Sequence, residues 1–197
     1  AAFAAGAAYD RLPSEVIAEA RRIVLDSLGV GIAGQFELKG RAGIEYGRLT
    51  GGPVGGGNAT ILGTGDRVSV FGAAFANGEL INALDMDAVL PPGHVAPYVL
   101  PGILAEGEAL ARDGRRIIGA VAVAHEMSHR IGMGMDYLRD TKDGQVDPPP
   151  VFGYSECIFG ASTAIGLLRG HAPAVLANGL GIAGSISPVN SQTAWFQ

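Results

Sequence analysis

A chain of 197 residues is long enough to bury one hydrophobic core and short for two. Apolar residues make up 48%, charged residues only 17%, and there are 31 glycines, a balance that describes closely packed helices with little solvated surface. The net charge of −5 removes nucleic acid and anionic membranes from the expected partners.

The N-terminal AAFAAGAAYDRLP lacks the basic start of a signal peptide. Pro13 and Glu15 then sit where a helix start favours them, a proline in the first turn and an acid near the positive end of the dipole. Val16, Ile17, Ala20, Ile23, Val24 and Leu28 follow at helical spacing, with Gly34 as terminator. Glu37 to Leu49 reads as a weaker helix ended by Gly51-Gly52-Pro53. The run Gly55-Gly56-Gly57-Asn58 opens no helix and is followed by no Lys-Ser/Thr, so it is a turn and not a phosphate loop. Thr60 to Leu62 and Val68 to Val70 flank Gly63-Thr64-Gly65-Asp66 and pair as a small hairpin.

Ala73 to Leu84 reads as a helix of small residues, and Ala96 to Arg112 as another despite its internal Pro101. Between them lies a loop that Pro91-Pro92 keeps from being helical, and it holds Asp85, Asp87 and His94. Ionisable groups on a constrained loop between two buried helices point to a site. Asp85 in particular follows a helix C-terminus, where the dipole disfavours an anion, a cost easier to understand if the carboxylate is a general base. Asp87 either contacts substrate or fixes the loop, and His94 is either catalytic or a loop histidine satisfied by backbone.

Arg115 to Ile131 is apolar on nearly every side and reads as a buried helix. It carries His125-Glu126-Met127-Ser128-His129, an HExxH whose spacing puts both imidazoles on one face with Glu126 as candidate base of a zinc peptidase. Gly132 falls where the longer metzincin pattern has its glycine, but the third ligand position is Met135, a poor zinc ligand. Two histidines packed in a helix are the plainer reading, and no metal is expected. Asp136 to Ser155 is irregular, charged and then proline-rich, long enough to be functional or disordered. Tyr154 and Ser155 are substrate-pocket candidates from that segment; packing, or for Ser155 a helix N-cap, is the alternative. Glu156 to Leu168 and Ala172 to Ile186 close the chain as two further helices. The fold class is therefore all-α with at most a short β-hairpin. The lone Cys157 excludes an internal disulfide and suits a reducing cytoplasm. No apolar run reaches the ~18 residues of a membrane span.

Three segments carry a family resemblance. The run AAFANGELINALDMD from Ala73 to Asp87, with His94 nine residues after Asp85 and then Leu100-Pro101, resembles the MmgE/PrpD family. LPSEVIAEARRIVLDSLGVGIAG at Leu12 to Gly34 and ATILGTGDRVS at Ala59 to Ser69 agree, in order and spacing. That family includes 2-methylcitrate dehydratases, cis-aconitate decarboxylases and iminodisuccinate epimerases. The resemblance implies a lyase or isomerase working without metal or organic cofactor on a small carboxylated substrate. Its shared chemistry is proton removal or carbanion formation beside a carboxylate, then dehydration, decarboxylation or reprotonation. Asp85 and His94 match its catalytic positions; the resemblance runs to about Gly184 and implies that residues 1–197 form its N-terminal helical part. It further implies a homodimer, and a remainder of the helical domain plus an α+β lid beyond Gln197. AHEMSHRIG takes the place of the family's GYEVxxRIG helix, which binds no metal. Two departures stand out. The family's LDFDDT is LDMDAV here, with Ala88 and Val89 in place of an acid and a threonine, and the histidine of its GFH segment has no counterpart. A specialised reaction on a larger secondary metabolite, a zinc peptidase and a non-catalytic helical interaction domain are the competing expectations.

Overall fold

The computed structural model describes residues 1–90, 93–135, 140–147 and 155–187. Within them the chain forms eight α-helices and three two-stranded antiparallel ladders. Helix α1 (Ala2–Gly6) and a 3-10 turn (Tyr9–Arg11) precede α2 (Ser14–Gly34) and α3 (Leu38–Thr50). Strands β1 (Ala59–Thr60) and β2 (Arg67–Val68) lead into α4 (Val70–Asn82). Strands β3 (Val89–Leu90) and β4 (Gly93–His94) separate α4 from α5 (Ala96–Ala109). After α6 (Gly114–Gly134) come β5 (Asp140–Lys142) and β6 (Gln145–Asp147), then α7 (Cys157–Leu168) and α8 (Pro173–Ile186). The all-α expectation holds. The sequence reading foresaw one hairpin, and the other two ladders are additions, at the Asp85–His94 loop and inside the irregular segment.

Helix α4 is the centre of one half of the molecule, packed on α2, α3 and α5, and α7 holds the other half by packing on α5, α6 and α8. Ile81, Val95, Val99, Leu100, Ile103, Val121, Ala124, Cys157, Ala164 and Leu168 form the main core. Each branched side chain fully buried there contributes about 1.5–3 kcal/mol. A second cluster, with Ile44, Ala59, Ile61, Val68, Ala76 and Leu80, joins the β1–β2 hairpin to α3 and α4. Asn77, the asparagine of AAFANG, locks that join: its side chain accepts from the Leu62 amide at 2.8 Å and donates to the Thr60 carbonyl at 2.9 Å. The α3–α4 approach needs glycine. A Cβ on Gly72 would sit 2.4 Å from the Gly47 carbonyl oxygen.

Helix α4 begins three residues earlier than periodicity suggests, at Val70, because Ser69 caps it and accepts from the Gly72 amide at 3.2 Å. Capping thus takes Val70 out of the expected strand. Asp113 caps α6 in the same way, accepting from the Arg116 amide at 2.9 Å. Among the described residues no helix is long and apolar enough to cross a membrane.

Candidate active site

Helix α4 stops at Asn82, and the chain turns through Asp85, which adopts a left-handed backbone with φ 53°. That conformation costs a non-glycine residue roughly 1–2 kcal/mol. Aspartate is among the few side chains that visit it, and such strain gathers at functional sites. The turn leaves the Asp85 side chain 82% exposed and brings Asp87 inward, where its side chain is fully buried. The β3–β4 ladder then pairs Val89 with His94 and Leu90 with Gly93, folding the imidazole back over Asp87.

The three ionisable groups therefore meet. His94 Nδ1 lies 2.8 Å from Asp87 Oδ2, and His94 Nε2 lies 4.0 Å from Asp85 Oδ1. The second oxygen of Asp87 accepts from Asn82 Nδ2 at 3.0 Å. One carboxylate contacts Nδ1 of the ring and the other faces Nε2. This is the division of labour expected of an orienting and a reacting carboxylate. Asp87 was proposed from sequence as a substrate contact. It lies beneath the imidazole with both oxygens engaged. Asn82 escaped the sequence reading; its only signal was its place one turn before Asp85 on the same helix end.

One ligand atom from each of Asp85, Asp87 and His94 lies within 4.8 Å of the others, and among the described residues no other trio of His, Cys, Asp or Glu does so. Two carboxylates and an imidazole suit a divalent cation. Such an ion would have to draw Asp87 away from a hydrogen bond it already makes.

The HExxH helix behaves differently. His125 is buried, and its Nδ1 donates to the Val121 carbonyl at 2.8 Å, a bond within its own helix. Burial holds its pKa below the usual histidine value. Glu126 pairs with Arg130 one turn on. His125, Glu126 and His129 line a cleft of about 200 Å³ between α2 and α6, with Leu90 at its edge, yet among the described residues no third ligand converges on the two imidazoles there.

The start of α7 reaches the site from behind. The Cys157 thiol points to the His94 carbonyl oxygen, with sulfur and oxygen 3.9 Å apart. Burial, followed by the neighbouring Glu156, pushes that thiol well above the usual range, so it stays protonated. Glu156 is wholly buried, its Oε2 has no hydrogen-bond partner, and desolvation raises its pKa. Ser155 is buried, and its carbonyl accepts from Ser187 Oγ at 3.0 Å. The α7 N-cap position falls to Glu156 and not to Ser155. Tyr154 lies outside the described residues.

The model of the MmgE/PrpD N-terminal domain matches residues 1–194. The chain belongs to the MmgE/PrpD family. Its relatives include a cis-aconitate decarboxylase from Mus musculus, 29% identical over 170 residues, covering 82% of this chain and 34% of the mouse protein. The cis-aconitate decarboxylase of Aspergillus terreus is 28% identical over 188 residues, 92% of this chain and 37% of its own length. The human cis-aconitate decarboxylase is 28% identical over 170 residues, 82% of this chain and 34% of that protein. The chain thus spans about a third of the curated relatives it matches. The family match covers the N-terminal domain, and the hairpin geometry described above sits within it.

Proposed function

We propose that this MmgE/PrpD domain supplies the proton-transferring part of a lyase site that acts on a small polycarboxylate. The observation that carries the reading is the placement of His94 between Asp87 at 2.8 Å and Asp85 at 4.0 Å, on opposite ring nitrogens. Asp85 takes a proton from carbon beside a substrate carboxylate, and His94 in its imidazolium form delivers one from Nε2. In a dehydration the C–H electron pair becomes the new C=C bond and hydroxide leaves as water with the proton from His94. In a decarboxylation no proton is taken from carbon: the C–C bond breaks, its pair stays on carbon as CO2 departs, and that carbon takes the proton from His94. The relatives named as cis-aconitate decarboxylases favour the second outcome. No step of either scheme calls on a cofactor.

Val89, the partner of His94 across the ladder, is 65% exposed. An apolar neighbour there in place of the family's threonine fits a substrate that differs from 2-methylcitrate. Tyr154 and Ser155 are proposed as lining of the same pocket from the N-terminal side of α7. Phe36, Leu38, Leu49 and Phe71 are largely exposed on α3, α4 and the turn before α3, which we read as surface for a second copy in a homodimer or for the portion the relatives carry beyond this domain. A monodisperse monomer by light scattering removes that reading. We propose a cytoplasmic setting, with which the single cysteine is compatible.

The deciding experiment offers cis-aconitate and 2-methylcitrate to the full natural polypeptide and follows CO2 release and loss of water by proton NMR. Turnover of either that His94→Ala abolishes supports the proposal. Full turnover with His94→Ala overturns it.

A further inference from the structure

We propose that Lys39 and Asn82 are positioning residues that act in the same direction as Asp87 in setting Nε2 as the nitrogen of His94 that gains and loses the proton. The inference rests on the reading of His94 as a proton carrier and concerns residues far from the reacting atoms. Lys39, on the first turn of α3, donates to Asn82 Oδ1 across the α3–α4 packing. Asn82 Nδ2 donates to Asp87 Oδ1 at 3.0 Å, and Asp87 Oδ2 meets His94 Nδ1 at 2.8 Å. Four side chains form one hydrogen-bonded row that ends at the imidazole.

The direction of that row follows from what each end can do. An ammonium has three donors and no acceptor, so the Asn82 atom facing Lys39 is its carbonyl oxygen. A side-chain amide can otherwise be turned over with no change in shape. With its oxygen committed, Asn82 presents only its amide nitrogen to Asp87. The carboxylate accepts on both oxygens, so in the neutral imidazole Nδ1 is the N–H and Nε2 holds the lone pair. Nε2 is the nitrogen on the Asp85 side. When His94 gives up a proton from Nε2, the tautomer left behind is the one the row already favours, and no ring flip or exchange is required.

In the native chain Lys39 and Asp87 impose the same direction. Asp87→Asn leaves Lys39 alone in charge of it. The new amide must then offer its oxygen to Asn82 and its nitrogen to His94 Nδ1, which forces the proton onto Nε2. Adding Lys39→Glu, with Glu79→Gln to remove the carboxylate 3.7 Å from the lysine, puts an acceptor-only group at the far end. Both amides turn over, and the proton returns to Nδ1.

The test is the nitrogen-15 NMR spectrum of the imidazoles in the full natural polypeptide, with the His94 signals assigned by their loss in His94→Ala. The expected result is Nδ1–H in the wild type, Nε2–H in Asp87→Asn, and Nδ1–H again in the Asp87→Asn, Lys39→Glu, Glu79→Gln variant. Lys39→Arg in the Asp87→Asn background keeps a donor-only end and stays Nε2–H, and Glu79→Gln alone leaves the wild-type tautomer in place. Turnover follows the tautomer: kcat falls by ~10²–10⁴ in Asp87→Asn with KM little changed, since a wrong tautomer removes the proton carrier and not the binding contacts. It recovers roughly tenfold or more in the reversed row. A wild-type proton on Nε2 overturns the proposal without any variant, even if Asp87→Asn fails to fold. Failure of the reversed row to restore Nδ1–H overturns the role of Lys39. Full activity of His94→Ala, by contrast, sinks the catalytic reading and leaves the tautomer result standing.

Discussion

On the loop from Asp85 to His94, an aspartate, a second aspartate and a histidine are spread over ten positions without the spacing of a helical metal motif, and their polar atoms converge. On α6, His125, Glu126 and His129 keep the spacing of a zinc motif, and no third ligand comes to them among the described residues. The loop is shaped by two tertiary devices, the left-handed turn at Asp85 and the β3–β4 ladder, which aim the side chains at one another. The helix has only its own period, and that period turns His125 into the packing, where its Nδ1 is satisfied by Val121. Convergence is what makes a site, and helical spacing supplies two groups at most.

The sharpest way to break this contrast is to remove the groups one at a time. Asp85→Asn and His94→Ala should each lower kcat by ~10²–10⁴, the range for a positioned acid or base. Asp85→Asn should leave the thermal midpoint nearly unchanged, since that side chain is exposed and its pairing with His94 spans 4.0 Å. Steady-state kinetics with a thermal melt on each protein reads both quantities, and equal losses of activity and stability would erase the distinction. His125→Ala should show the reverse pattern, losing about 1–3 kcal/mol of stability as a buried group is deleted. Its turnover per folded molecule should stay within a small factor of wild type, as denaturant melts and active-site-normalised assays would show.

A smaller effect lies in the pH dependence. Burial holds the pKa of His125 below 6.5, so as pH falls beneath that value the unfolded chain takes up a proton that the native chain refuses. Stability due to the neutral imidazole is present above pH 6.5 and is lost on acidification, and His125→Gln should flatten that limb. Glu156 has the opposite sign. Desolvation raises its pKa above 4.5, so the unfolded chain releases a proton first as pH rises, and stability present below pH 4.5 is lost above it. Glu156→Gln should remove that loss and stabilise the protein at neutral pH, with a slope change of at most about 1.4 kcal/mol per pH unit. Chemical melts at a series of pH values separate the two limbs. The least effect is expected from metal removal. Elemental analysis should find no zinc that depends on His129, and one zinc per chain lost with His129→Ala would promote α6 to a site and overturn the contrast.

Much of the helical frame was legible. Expected helices at Glu156 to Leu168 and Ala172 to Ile186 appear as Cys157–Leu168 and Pro173–Ile186, because each is a continuous apolar run bounded by clear breaks. The β3–β4 ladder was not legible: two residues on each side carry no alternation to read, and the connection lacks Asn-Gly turn chemistry. The start of α4 was misplaced because Ser69 acts through a cap, a single contact that periodicity does not register.

The sequence by itself determined the fold class, through helical spacing and breakers, and drew Asp85, Asp87 and His94 into one short stretch. Those are local properties, set within a few residues along the chain. Only the tertiary structure decided what each group does there. It buried Asp87 and exposed Asp85, and it brought Lys39 and Asn82 from neighbouring helices into line with the imidazole. Burial and hydrogen-bond direction depend on which surfaces meet, and chain order does not encode the distance of a contact between α3 and the end of α4.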